Sequence, residues 1–254
     1  MLQVMTWEKA LVTGASSGIG LAIVEELGRR RVPVVLVARD IERLNTIAEK
    51  HPVEAEVLGA DLADADQLAT VEARIEQGDI DLLVNNAGFG LNGKFVHHDR
   101  DGETGMVLVN VLALHRLSHA AAVTMQESWR GAILNVASVA AFTSMARSST
   151  YSATKAFVVS FTDALASELK GTGVTATSLC PGLTRTEFHD RGDYKADDFP
   201  DFAWQTAEEV ARAGLDAAAS GDRRHIPGAV NKVMVGAIKT LPDAVVRAVG
   251  DRFF

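Results

Sequence analysis

Apolar residues along the chain follow two alternating patterns, which predict strands and helices in turn. Short runs rich in apolar residues predict strands at 9–13, 34–38, 53–60, 81–84, 132–136 and 174–180. The stretch 223–226 is a candidate for a short seventh strand. Longer stretches, with apolar residues about every three to four positions, predict helices at 19–30, 41–50, 65–77, 105–129, 150–170 and 207–219. This alternation predicts an α/β fold: a doubly wound sheet of about seven parallel strands with helices on both faces.

No linker, repeat or low-complexity tract interrupts this pattern, so residues 1–254 are expected to form a single domain. The least regular stretch, 187–204, contains five aspartates and five aromatic residues. A long connection of this kind in a compact domain predicts a substrate loop or lid. Residues 229–254 mix apolar and basic residues and are predicted to form a C-terminal helical extension.

The composition narrows the class of protein. Apolar residues make up 47% of the chain, enough for a sizeable core. The formal net charge of -8 at pH 7 disfavours binding to nucleic acid. Cys180 is the only cysteine, which suits a reducing compartment. Because no uninterrupted run of about 18 apolar residues occurs, no transmembrane segment is expected and a cytoplasmic location is predicted.

A glycine-rich turn, Thr-Gly-Ala-Ser-Ser-Gly-Ile-Gly at 13–20, joins the first predicted strand to the first predicted helix. Gly14 permits a sharp turn, Gly18 lets the backbone approach a pyrophosphate, and Gly20 lets helix and strand pack closely. Free N–H groups at the helix start attract phosphate. The residues predicted to bind it are Gly14, Ser16, Ser17, Gly18, Ile19 and Gly20. Because the spacing is not G-x-G-x-x-G, a plain strand-to-helix turn is the alternative.

The turn resembles the T-G-x-x-x-G-x-G segment of the short-chain dehydrogenase/reductase family, which has a Rossmann-type fold. Further motifs follow in the family's order: Asp61-Leu62, Asn85-Asn86-Ala87-Gly88, Asn110, Ser138, Tyr151-x-x-x-Lys155, Pro181-Gly182, Thr184 and Thr186. Each motif is common by chance, whereas all of them in order are highly specific. The resemblance implies one dinucleotide-binding and catalytic domain that transfers a hydride between nicotinamide and a carbonyl or alcohol. No family motif matches beyond about Ala229.

Reduction of a carbonyl needs a hydride on carbon and a proton on oxygen. Tyr151 is the candidate acid, because a nearby cation lowers the pKa of a phenol. Lys155 lies one helical turn later and can share a helix face with Tyr151. The Ser138 hydroxyl can donate to the substrate oxygen. The resemblance further implies that Lys155 holds the nicotinamide ribose and that Asn110 holds a water of a proton relay.

The resemblance also implies roles for the remaining motif residues in binding a cofactor. Asn85, Ala87 and Gly88 would brace the sheet and line the adenosine side. Asp61 and Leu62 would meet the adenine. At the other end of the cofactor, the residues that would face the nicotinamide are Pro181, Gly182, Thr184 and Thr186.

The residues at the end of the second predicted strand indicate which of two cofactors, NAD or NADP, the protein prefers. NAD-preferring relatives usually have an acidic residue at the position of Ala38, which is apolar here and is followed by Arg39. A guanidinium can pair with the 2′-phosphate of NADP, so NADP is predicted, with NAD as the alternative. Asp40 could instead bind a ribose hydroxyl, but its position before Ile41 favours a helix N-cap.

The aromatic residues of 187–204 favour a small-molecule substrate that is an apolar or acyl-bearing ketone or aldehyde. Two other classes of function stay open. One is a catalytically silent regulatory module that binds NAD(P), against which the intact Ser138, Tyr151 and Lys155 argue. The other is a scaffold that binds a partner through the acidic loop and the apolar tail. The resemblance implies a homodimer or homotetramer through the two long helices.

No metal site is predicted. His115 and His119 lie four residues apart on a predicted helix, but no third ligand is evident. His97 and His98 precede a polar loop, and a surface position is predicted for them as well. Cys180 is predicted to be a buried structural thiol.

Overall fold

The computed structural model of the protein describes residues 6–143, 145–186 and 201–240. Its large sheet has seven strands in the order β3-β2-β1-β4-β5-β6-β9, and every pair is parallel. The strands are β1 (Ala10–Thr13), β2 (Val34–Ala38), β3 (Ala55–Gly59), β4 (Leu82–Asn85), β5 (Gly131–Val136), β6 (Val174–Leu179) and β9 (Arg224–His225). The predicted doubly wound, seven-stranded parallel sheet is therefore confirmed.

Helices cover both faces of this sheet, because successive residues of each strand point to opposite sides. In β1, Val12 packs into one apolar cluster and Leu11 into another. The helices are α1 (Gly18–Arg29), α2 (Ile41–Lys50), α3 (Ala65–Ile75), α4 (Arg100–Val107), α5 (Leu114–Glu127), α6 (Ser149–Glu168), α7 (Ala207–Ser220) and α8 (Ala229–Thr240). The first cluster lies under α1, α2 and α7, and the second under α3 and α5.

The long helix predicted over 105–129 begins earlier and is not uniform. It starts at Arg100, where the Asp99 side chain accepts a hydrogen bond from the Gly102 N–H and caps the first turn. A π-helical segment, Leu108–Ala113, separates α4 from α5. The helix ends before Trp129, whose φ of 54° is left-handed. The predicted start was wrong because glycines at 102 and 105 weaken the helical pattern.

This same helix, Arg100–Glu127, is long and apolar enough to cross a membrane by length and composition alone. Half of its most apolar window is buried inside the protein. Leu117 and Met125 are almost fully buried and pack in the second apolar cluster beneath the sheet. Its apolar character is therefore explained by packing in the core.

A second, two-stranded sheet was not predicted. It pairs β7 (Thr184–Arg185) with β8 (Gln205–Thr206), preceded by a 3-10 turn at Asp201–Ala203. Arg185 bonds to Asp201 at 2.6 Å and lies 5.5 Å from the centre of the Trp204 ring. The end of the stretch expected to be an irregular loop is thus ordered, while residues 187–200 lie outside the described residues. Within the predicted C-terminal extension α8 is helical, and residues 241–254 also lie outside the described part of the chain.

Because the strands are parallel, their carboxyl ends meet at one edge of the sheet. The glycine turn follows β1 and Arg39 follows β2. The Asn86-Ala87-Gly88 segment follows β4, Ser138 follows β5, and Pro181 follows β6. The fold therefore brings the predicted site segments to a common edge, which also contains the point where the order of strands reverses between β1 and β4.

Candidate active site

The glycine turn at this edge is shaped by close backbone contacts. Gly14 and Gly18 have φ values of 65° and 55°, which favour glycine. A Cβ on Gly20 would lie 2.1 Å from the Gly14 carbonyl oxygen, so this position has no room for a side chain. In the described part of the chain, the Ser17 side chain makes no capping hydrogen bond to α1. The N–H groups of the first helical turn are thus available to an anion.

Asn86 fastens this turn. It lies within the sequence motif but was not predicted as a site residue. Its Nδ2 donates to the carbonyl oxygens of Thr13 and Gly14 at 3.0 and 3.2 Å. In return, the Thr13 hydroxyl oxygen accepts the N–H groups of Asn86 and Ala87, both at 3.0 Å. The end of β1 and the end of β4 are therefore tied together directly beneath the turn. The position of Asn86 immediately after a buried strand was the available signal.

Lys155 is the buried cation of the site. Its Nζ donates to the Val136 carbonyl oxygen at 2.9 Å, two residues before Ser138, and lies 5.7 Å from the centre of the Tyr151 ring. Desolvation by burial lowers the pKa of Lys155 from 10.5 to about 8. The ammonium form therefore still dominates at neutral pH, beside the phenol whose ionised form it stabilises.

Asn110 and Lys155 converge on Gly88. A Cβ at position 88 would lie 2.9 Å from Asn110 Oδ1 and 3.5 Å from Lys155 Nζ. Asn110 lies in the π-helical segment, and its side chain bonds to both backbone groups of Phe89 and to the Thr154 hydroxyl. π-Helical turns are frequent at functional sites because they alter which residues face a cleft. Here the segment places a buried amide beside the buried ammonium.

Ser138 lies where β5 ends and a 3-10 helix, Val139–Phe142, begins. Its Oγ accepts the Ala140 N–H at 3.1 Å, which leaves the hydroxyl proton available for donation to another group. The 3-10 helix packs against α6, the helix that contains Tyr151 and Lys155. The Val139 N–H donates to the Pro181 carbonyl oxygen at 2.9 Å, which joins the ends of β5 and β6.

A buried row of polar side chains holds α5 and α6 on the sheet. Asn85 Nδ2 donates to Ser118 Oγ at 3.0 Å and to Asn135 Oδ1 at 2.9 Å. Asn135 Nδ2 donates to Thr162 Oγ1 at 2.9 Å, and that hydroxyl donates to the Val158 carbonyl oxygen. The side chain of Asn85 therefore braces the sheet, because it joins β4 to the neighbouring strand β5 and to α5. The sequence reasoning missed Ser118, Asn135 and Thr162, although an asparagine inside an apolar strand is a detectable signal.

The segment after β6 faces the glycine turn. A Cβ on Gly18 would lie 3.4 Å from Thr186 Cβ, so these two segments oppose each other across the cleft. Thr184 is almost fully buried, and its hydroxyl donates to the Gly182 carbonyl oxygen at 3.1 Å. Asn231 of α8, also buried, packs against Gly182 and donates to Gln205 Oε1 at 2.9 Å. No sequence motif indicated Asn231.

Arg39 and Asp61 lie on the other side of the glycine turn, at the ends of β2 and β3. Their side chains approach to 4.0 Å, and that of Arg39 is 74% exposed. Asp61 Oδ1 also accepts the Ala63 N–H at 3.0 Å, and the adjacent Leu62 is buried. Asp40 caps α2 by accepting the Arg43 N–H at 2.9 Å, as predicted. Arg39 is therefore the cation that this end of the cleft presents to solvent.

The remaining candidates have no chemical role visible here. The predicted structural role of Cys180 agrees with its burial, which raises the pKa of the thiol to about 12. His115 and His119 are exposed, and the His115 ring lies 5.4 Å from the Phe161 ring. Among the described residues, no group of three or more His, Cys, Asp or Glu side chains could hold a metal ion.

Comparisons with known proteins agree with this geometry. The family model described as short chain dehydrogenase matches residues 8–195. An uncharacterised oxidoreductase of Staphylococcus epidermidis is 37% identical over 188 residues, covering 73% of this chain and 81% of that protein. A short-chain dehydrogenase from Sphingobium yanoikuyae, solved in complex with NADPH, has a TM-score of 0.82 and 34% identity over 93% of this chain and 97% of its own.

A second solved structure, the bulky-bulky ketone specific alcohol dehydrogenase from Comamonas testosteroni, has a TM-score of 0.78 and 30% identity. The similarity covers 94% of this chain and 97% of that one. The motifs, the sheet order and these similarities together lead to one assignment. The chain belongs to the short-chain dehydrogenase/reductase family of oxidoreductases.

Proposed function

We propose that the protein is an NADP(H)-dependent reductase of ketones or aldehydes, with Tyr151 as the proton donor. The observation on which this proposal depends is the buried Lys155 ammonium, 5.7 Å from the centre of the Tyr151 ring. A cation at this position stabilises the phenolate that remains when Tyr151 gives up its proton. Tyr151 can then give a proton to a developing alkoxide and recover it in the reverse reaction.

The residues present fit a dinucleotide. The positive φ angles of Gly14 and Gly18 and the uncapped start of α1 form a cradle for a pyrophosphate. Thr186 opposes Gly18 across the cleft, and Lys155 is available for a ribose hydroxyl. When bound, the nicotinamide supplies or accepts the hydride.

The protein's own groups handle the proton and the oxygen. The Ser138 hydroxyl retains a donor for the substrate oxygen, since its Oγ is used within the protein as an acceptor from Ala140. The Lys155 ammonium stabilises the negative charge that Tyr151 carries after it has given up its proton. Asn110 meets Lys155 at Gly88, which supports its proposed place in a relay that returns protons to the site.

Arg39 supports the preference for NADP over NAD. Its guanidinium is exposed at the adenosine end, and its nearest acidic partner, Asp61, is 4.0 Å away. A 2′-phosphate would gain a charge-assisted hydrogen bond from this group, whereas a 2′-hydroxyl would gain much less. The NADPH complex of the similar Sphingobium enzyme agrees with this preference.

For the substrate, we propose an apolar or acyl-bearing ketone or aldehyde. The similar Comamonas enzyme is described as specific for bulky ketones, and the sequence of 187–204 is rich in aromatic residues. We also propose a homodimer or homotetramer. Leu112, Val123 and Phe157, on the long helices, expose apolar surface, and light scattering would give the assembly mass. The cytoplasmic location stays a prediction.

The test is a carbonyl panel assayed with NADPH and NADH, read by nicotinamide absorbance, on the wild type and on Tyr151→Phe. We expect turnover in the wild type and a loss of at least about a hundredfold in the variant, with NADPH binding retained. Near-wild-type turnover in Tyr151→Phe would overturn the assignment of the acid. NADPH binding without any turnover across the panel would favour the silent regulatory module.

A further inference from the structure

The loop 88–98, which follows β4, is attached to the active site at two points. The N–H and carbonyl of Phe89 both bond to the Asn110 side chain, at 3.0 and 2.9 Å. The Gly93 N–H donates to the Arg147 carbonyl oxygen at 2.8 Å. Arg147 lies four residues before Tyr151, so movement of this loop would be transmitted to the start of α6.

A third attachment is a histidine that sequence reasoning placed on the surface. The side chains of His98 and Glu103 are only 16% and 11% exposed, and His98 Nδ1 lies 2.5 Å from Glu103 Oε1. His98 Nε2 lies against Gly93, where a Cβ would be only 2.6 Å away. His98 thus connects the loop to α4.

The carboxylate of Glu103 favours the charged form of the ring. A carboxylate taken out of water is stabilised by an imidazolium, which donates an N–H to it and neutralises its charge. The other carboxylate oxygen of Glu103, Oε2, is buried without a hydrogen-bond partner among the described residues. The burial of this carboxylate is therefore compensated chiefly by His98.

We propose that His98 is a positioning residue whose imidazolium, paired with Glu103, fixes the loop 88–98 against the substrate side of the active site. The effect on turnover rests on the proposed function, whereas the effect on the loop does not. The hydrogen bond to Glu103 raises the pKa of His98 above 6.5. The charged form is thus favoured by the folded loop, so the attachment is present at low pH and is lost as the pH rises through that raised pKa.

Other charged side chains on the segments that meet here are exposed. They are Lys94, Asp99, Arg100, Asp101 and Arg147. Solvent screens their effect on a ring that is mostly buried. Glu103 is therefore the group expected to control the titration of His98, and His97, exposed and adjacent, provides a matched control.

The direct test follows the Gly93 amide by hydrogen exchange and NMR between pH 6 and 9 in the wild type, His98→Gln and His97→Gln. At pH 6 we expect the Gly93 protection factor to fall about tenfold in His98→Gln and to stay unchanged in His97→Gln. In the wild type it should fall to the variant's level as His98 titrates. A Gly93 protection factor that changes neither with pH in the wild type nor in the His98→Gln variant would overturn the proposal.

Glu103→Gln provides a second test, because it removes the carboxylate but keeps a side chain of similar size. We expect it to lower the His98 pKa measured by NMR and to shift the loss of Gly93 protection to lower pH by the same amount. An unchanged His98 pKa would contradict the pairing.

With acetophenone and NADPH at pH 6, KM for the ketone should rise about tenfold in His98→Gln while kcat changes little. A fall in kcat at unchanged KM would refute a positioning role for His98. If the wild type shows no turnover, that result would count against the proposed substrate class, and the Gly93 protection factors would then decide whether His98 fixes the loop.

Discussion

Replacement of Lys155 by methionine tests whether the Lys155 ammonium lies in an environment that disfavours its charge. Methionine keeps the length of the buried stem and removes the charge. Burial lowers the pKa of Lys155 from 10.5 to about 8 in the folded protein. At about 1.4 kcal/mol per pH unit, this difference means that the folded state holds the ammonium at a cost of about 3 kcal/mol. The variant removes this cost but leaves the Val136 carbonyl without its donor, which costs about 1–3 kcal/mol.

The sign of the pH dependence separates these two effects. Below pH 8 both the folded and the unfolded wild type are protonated, so the full cost is present. Between pH 8 and 10.5 the folded protein has lost the proton that the unfolded chain still binds, so the wild type gains stability relative to the variant. The loss of the Val136 hydrogen bond does not vary in this way.

The assay is urea unfolding of the cofactor-free protein at pH 7, 8, 9 and 10. We expect the free energy of unfolding of Lys155→Met, relative to wild type, to fall by about 2–3 kcal/mol between pH 7 and pH 10. Lys170→Met, at an exposed lysine just beyond α6, should show a constant difference. A constant difference for Lys155→Met as well would refute the inference that this ammonium is desolvated.

The remaining predictions address the cradle, the cofactor preference and the buried polar row. Gly20→Ala forces a Cβ against the Gly14 carbonyl and should weaken NADPH binding, measured by fluorescence, more than about tenfold, whereas Gly236→Ala, with open space around it, should bind normally. Arg39→Ala should raise Kd for NADP by about tenfold and leave Kd for NAD nearly unchanged; equal losses would count against the NADP preference. Asn135→Leu removes an acceptor from Asn85 Nδ2 and the donor to Thr162 Oγ1, and should lower the free energy of unfolding by about 2–3 kcal/mol, while the same change at exposed Asn45 should be nearly neutral.

The sequence predicted those features that depend on local pattern. Apolar runs predicted six strands of the large sheet, and the candidate at 223–226 matched the seventh. The alternation of strands with helices predicted parallel pairing, since each connection crosses over to the next strand in the same direction. The glycine turn predicted a phosphate cradle, and the four-residue spacing predicted that Tyr151 and Lys155 lie together; the structure puts Lys155 Nζ 5.7 Å from the centre of the Tyr151 ring. Asp40 was recognised as a helix cap because capping depends on neighbours in the chain.

Features that depend on contacts between distant segments were missed. Asn86 acts on the backbone of β1, which is more than 70 residues away, and Asn231 acts on Gly182. His98 was assigned to the surface because its neighbours are polar, but the Asp99 cap starts α4 early enough to bring Glu103 beneath it. β7 and β8, each of two residues, are too short for any hydrophobic period to predict.

The most direct test of the account is a transfer experiment with NADPH deuterated at the reactive position of the nicotinamide. The wild type, incubated with an apolar ketone that the panel identifies as a substrate, should place deuterium on the carbinol carbon of the product. Ser138→Ala and Tyr151→Phe should still bind NADPH but form little of this product. Reduction that places no deuterium on carbon, or equal transfer by wild type and Tyr151→Phe, would contradict a hydride transfer assisted by the Tyr151 and Lys155 pair.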